Sequence, residues 1–182
     1  MKIESLTIAY SLTNSSVLVV VFALLMIMSA YLRIPLFFTP VPITLQTLVV
    51  YLSIVFLKKK AFFAQLLYLT LGLRGFSIFA NGGAGLLYLF GPTGGYILGF
   101  LAAAFIFAFL LPHGSSFLKN FIFFTSAAAV IYGFGLVWLI LFHHFSAFKA
   151  LMLGLYPFIL GEIFKITIAA FTALKINKKF VG

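Results

Sequence analysis

Long apolar runs alternate along the whole chain with short clusters of proline, glycine, lysine or histidine. A helical span needs about 20 mostly apolar residues. On that measure the pattern predicts six membrane-spanning helices, over about 17–33, 43–57, 61–80, 92–111, 120–142 and 150–175. Residues 1–16 read as a short interfacial segment. No small-residue cleavage site follows the first run, so it is expected to be a retained span and not a removed leader. The interruptions are Lys58-Lys59-Lys60, Asn81-Gly82-Gly83-Ala84-Gly85, Gly91-Pro92-Thr93-Gly94-Gly95-Tyr96, the loop 112–116, and His143-His144-Phe145-Ser146.

One interruption is itself apolar. Residues 35–42, Pro35-Leu36-Phe37-Phe38-Thr39-Pro40-Val41-Pro42, hold three prolines and cannot continue a helix. Non-helical backbone at membrane depth must be buried in protein or line a cavity. This segment is the first pointer to a binding site.

Composition makes the membrane reading firm. Of 182 residues, 64% are hydrophobic and 8% charged, which excludes a disordered chain and argues strongly against a water-soluble globule. The expected class is an all-α integral membrane protein forming one domain over 1–182. There are 12 Lys and Arg against 2 Asp and Glu. In a soluble protein that balance would suggest nucleic acid, but here the basic residues cluster at span ends. With six spans and cytoplasmic termini, the inner side holds Lys2, Lys58, Lys59, Lys60, Lys119, Lys175, Lys178 and Lys179. The outer side holds Arg33, Arg74 and Lys149, so the bias is positive inside. The proline-rich, glycine-rich and His143-His144 loops then share the outer face. A multi-pass protein of a cell membrane, in contact with anionic lipid, is expected.

Glu162 and Lys165 lie three residues apart within the sixth apolar run, on one helical face. A charge there costs about 2.5–3.5 kcal/mol on insertion scales, so the pair needs a reason. Either it is a structural salt bridge, or it is a ligand site offering an ammonium to an anion and a carboxylate to N–H donors. Gly161 leaves room beside it. Arg74 is a buried or lid-facing cation, or a snorkelling one. Asn81 and Gln46 offer amides for polar ligand edges, with a helix–helix hydrogen bond as the alternative for Gln46. Tyr96 is a ligand contact or interfacial packing.

The remaining motifs exclude more than they assign. The glycine segment 91–95 lacks phosphate-loop spacing, and its glycines suit close helix approach. His143 and His144 are adjacent and do not share a helical face, so no metal site is expected. Cys and Asp are absent, and no nucleophile–base set stands out, so an enzyme is not expected. No nucleotide-binding motif occurs, so active transport would draw energy from an ion gradient or a partner.

Three segments together resemble the BioY family: Pro40-Val41-Pro42-Ile43-Thr44-Leu45-Gln46-Thr47, Gly91-Pro92-Thr93-Gly94-Gly95-Tyr96, and Pro157-Phe158 followed by Gly161-Glu162 and Lys165. These are biotin-binding S-components of energy-coupling-factor vitamin transporters. The resemblance implies a six-helix S-component bundle with an outward-facing biotin pocket under loops. It implies that Lys165 holds the valerate carboxylate. Glu162, where the family usually has Asp, would accept from the ureido N–H groups. Asn81 falls in a loop of polar ligand contacts, and Gln46 and Tyr96 line the same region. Arg74 matches no family position, and a contact with the ligand carboxylate is expected of it as a cation. The partners implied are a membrane coupling subunit and cytosolic ATPase subunits, with biotin as cargo and no cofactor. The competing readings are an S-component for another small vitamin or anion, and a structural membrane protein.

Overall fold

A backbone in hydrocarbon must satisfy its polar groups internally, and helices do so segment by segment. The computed structural model describes residues 2–111 and 116–181, with side chains at 16–111 and 116–176. The helices are α1 Lys2–Tyr31, α2 Gln46–Leu57, α3 Ala61–Leu73, α4 Gly85–Leu89, α5 Gly94–Phe107, α6 Phe117–His143, α7 Ala147–Gly154 and α8 Ile159–Val181. Two-residue strands β1 Arg33–Ile34 and β2 Ile43–Thr44 pair antiparallel, with Arg33 opposite Thr44. The loop residues 112–115 and the side chains of Lys2, Lys178 and Lys179 lie outside the described residues.

The helix ends depart from the expected spans at four places. Helix α1 already runs from Lys2, through the segment expected to lie at the interface. Helix α2 starts at Gln46, because Ile43 and Thr44 pair with β1. Helix α3 stops at Leu73, and residues 74–84 form a turn with a 3₁₀ segment at Ala80–Gly82. The last span is two helices. Leu155 leaves helical geometry (φ −129°), Tyr156–Phe158 form a 3₁₀ turn, and α8 begins afterwards. Pro157 has no N–H to give the Leu153 carbonyl four residues back, which accepts from Thr39 instead, so one continuous helix cannot run through this point.

Apolar side chains cover the outside as well as the core. Leu24, Phe63, Phe105, Ile122, Val137 and Phe164 are all exposed, a surface suited to lipid. Phe117–His143 and the combined stretch Ala147–Ile176 are long and apolar enough to cross a membrane, while Ser16–Tyr31 and Gly94–Phe107 are shorter apolar helices. The bundle is knit by α5 on α6, α6 on α8, α2 on α8, and α1 on α2 and α3. Glycine permits the closest of these approaches. A Cβ on Gly95 would stand 2.2 Å from Trp138 Cβ and 2.6 Å from the Phe134 carbonyl oxygen. This matches the expected packing role of the glycine motif.

Candidate ligand cavity

The proline-rich segment is pinned to the bundle. Thr39 Oγ1 donates to the Leu153 carbonyl at the end of α7 (2.7 Å) and accepts from the Val41 N–H (3.2 Å). Its far end, Val41, Pro42 and Thr44, forms one wall of a cavity with about 530 Å³ of open space. Gln46 and Thr47 of α2 continue that wall. Ala80 and Tyr88 close it from the α3–α5 connection, and Thr93, Tyr96, Ile97 and Phe100 from the start of α5. Tyr132 of α6, Phe158 and Lys165 complete it. The lining has the character of a small-molecule site: apolar and aromatic, with a few placed polar groups.

The break before α8 sets the electrostatics. Because α8 begins at Ile159, Glu162 lies in its first turn, where the helix dipole favours an anion. Lys165 follows on the same face, its Nζ 3.0 Å from Glu162 Oε2. Both side chains are buried. Lys165 also donates to Thr47 Oγ1 (2.9 Å). Glu162 accepts from Tyr51 on Oε1 (2.6 Å), and from Thr47 (3.0 Å) and Tyr132 (3.1 Å) on Oε2. A buried ion pair is tolerable when its remaining hydrogen-bonding capacity is met in this way.

The six residues expected from sequence separate into three groups. Lys165, Gln46 and Tyr96 are buried in the cavity wall. Gln46 Nε2 donates to the Tyr68 hydroxyl (2.8 Å), and its Oε1 accepts from Thr44 (3.3 Å). Tyr96 donates its hydroxyl to the Gly154 carbonyl (2.7 Å), so it also fastens α7 to α5. Glu162 stands one layer back, touching the wall residues Lys165, Thr47 and Tyr132. Asn81 is exposed in the turn, in left-handed conformation (φ 64°), outside the wall but next to the wall residue Ala80. Arg74 is exposed at the end of α3, outside the wall.

Sequence reasoning did not single out Thr47, Tyr51 and Tyr132. Thr47 and Tyr51 lie one turn apart on α2, so a pair of hydroxyls at helical spacing in an apolar run was the available signal. A single Tyr132 in α6 carried none. Among the described residues, no group of three His, Cys, Asp or Glu side chains is placed to hold a metal.

A biotin transporter BioY of Thermotoga maritima is 36% identical over 159 residues, covering 87% of this chain and 92% of the relative. The biotin transporter BioY2 of Lactococcus lactis subsp. cremoris is 40% identical over 128 residues, 69% of this chain and 70% of its own. The crystal structure of the S-component for biotin from an ECF-type ABC transporter superposes with a TM-score of 0.83, at 22% identity and 93% coverage of both chains, which places this fold with the S-components. The BioY family profile matches residues 2–181, and the chain belongs to the BioY family.

Proposed function

We propose that this chain captures biotin for uptake, as the substrate-binding membrane subunit of a vitamin transporter. The observation that carries the reading is the buried Lys165 ammonium in the wall of a mostly apolar cavity. Biotin has a carboxylate tail, an apolar chain and thiophane ring, and a polar ureido head. Lys165 holds the carboxylate through a charge-assisted hydrogen bond. Ile97, Phe100 and Phe158 cover the apolar body, and Gln46 and Tyr96 bound the space it fills. Asn81 adds a polar contact at the mouth. Glu162, expected to accept from the ureido N–H groups, stands 3.0 Å from the ammonium that takes the opposite end of biotin, so in this reading it acts on the ligand through Lys165 and Thr47. Arg74 has no contact in this reading.

The chain crosses a prokaryotic plasma membrane six times, through α1, α2, α3, α5, α6 and the α7–α8 pair, with both termini in the cytoplasm. The lysine excess at one set of span ends supports this orientation. The cavity then opens outward. Without an ATP-binding motif of its own, the chain delivers biotin inward with a membrane coupling subunit and cytosolic ATPase subunits. Mass spectrometry of the chain purified from biotin-fed cells tests the ligand. A co-purifying species of biotin's mass is expected, and a different vitamin in its place would overturn the assignment.

A further inference from the structure

The Glu162 carboxylate receives four donors from three helices: Tyr51 and Thr47 from α2, Tyr132 from α6, and Lys165 from α8 itself. On its other side it lines an apolar groove of about 820 Å³ between α6 and α8, with Leu136, Ile159 and Ile163. The other polar side chains lining it are Tyr132, already counted, and Thr125, whose hydroxyl donates to the Phe121 carbonyl. Lys165 uses two contacts, to Glu162 and Thr47, and an ammonium has three N–H donors. One donor is left for the cavity.

An anionic ligand on Lys165 brings a second carboxylate to a pair that was neutral before it arrived. If Lys165 alone held Glu162, drawing the ammonium toward the ligand would strand a buried acid. The hydroxyls remove that conflict. Resting on the biotin-capture reading, we propose that Tyr51 and Tyr132 are positioning residues that anchor Glu162 as the standing counter-ion of Lys165, leaving the ammonium able to take the ligand carboxylate. The charged and titratable groups facing Glu162 are Lys165 from α8, Tyr51 from α2 and Tyr132 from α6. Tyr96 of α5 packs its ring on Tyr132 but gives its hydroxyl to Gly154.

The test is calorimetry on the full chain in lipid nanodiscs, with biotin and its uncharged amide. Wild type is expected to prefer biotin. Tyr51→Phe and Tyr132→Phe each remove one donor from the acid. Each is expected to weaken biotin about tenfold and the amide by less than about twofold, the loss of one hydrogen bond to a charged group. Glu162→Gln, which keeps the side-chain shape, is expected to raise the ratio of biotin to amide affinity, because the ligand becomes the sole anion for Lys165. Equal losses for biotin and amide in the tyrosine variants, or unchanged biotin affinity in them, overturn the proposal. So does a Glu162→Gln chain that loses both ligands equally, which makes the acid a direct contact of the head. A folded wild-type chain that binds neither ligand overturns the biotin reading itself.

Discussion

Lys165 Nζ lies 3.0 Å from Glu162 Oε2, yet of the two residues the lysine alone lines the cavity. The acid is turned toward three hydroxyls, and the base toward the space a ligand would fill. A pair closed on itself with no space alongside would have been a structural salt bridge. The cavity beside Lys165 is what favours the ligand-site reading proposed above.

The pair's asymmetry predicts unequal costs of removing its members. Losing one partner of a buried pair costs about 3–5 kcal/mol. Lys165→Ala leaves Glu162 with Tyr51, Thr47 and Tyr132. Glu162→Ala strands those hydroxyls and the ammonium together. Thermal melting is therefore expected to show Glu162→Ala as the less stable variant, with the double variant less destabilised than the sum. Equal costs, with ligand binding intact in both, would support a purely structural pair.

The charges were legible in the sequence because an acid and a base within an apolar run are conspicuous. Gln46 was legible because it follows a segment whose prolines forbid helix. The hydroxyls of Thr47, Tyr51 and Tyr132 were not: each is compatible with lipid-facing, packing or interfacial positions, and which one holds depends on how α2, α6 and α8 rotate against each other. The same limit applies to Asn81 and Arg74. Their place follows from the path of residues 74–84, which tertiary contacts decide, such as the hydrogen bond from Tyr31 to the Ser77 carbonyl. The break at Pro157 was visible as a residue, but the apolar run reads straight through it.

Asn81 separates backbone from side-chain roles. Its left-handed conformation costs an ordinary L-residue about 1–2 kcal/mol, a cost glycine does not carry. Asn81→Gly is therefore expected to melt like wild type and to lose biotin affinity, whereas Asn81→Ala loses stability as well. Unchanged affinity in Asn81→Gly removes the amide from the site. Arg74→Ala, outside the cavity wall, is expected to leave biotin affinity unchanged.

Two glycines on facing helices behave oppositely. Gly95→Ala on α5 drives a methyl into Trp138 and the Phe134 carbonyl, and overpacking of this kind costs about 1–3 kcal/mol. A methyl on Gly133 of α6 would meet nothing within 4 Å, so Gly133→Ala is expected to gain about 0.5–1 kcal/mol of helix stability. Denaturation of both variants in one detergent checks the sign of each.

Tyr96 joins site and scaffold. Tyr96→Phe keeps the ring in the cavity wall and removes its hydrogen bond to Gly154, at a cost of about 1 kcal/mol. A lower melting temperature with near-normal biotin affinity is expected, and a selective loss of affinity would make the hydroxyl a ligand contact.

The most direct test of the central claim is equilibrium titration of biotin into the purified chain and its Lys165→Ala variant. Saturable binding of one biotin per chain is predicted, weakened by more than about tenfold in the variant, as expected for loss of a charge-assisted hydrogen bond. Equal affinity in the two proteins, or no binding to folded wild type, would contradict the account.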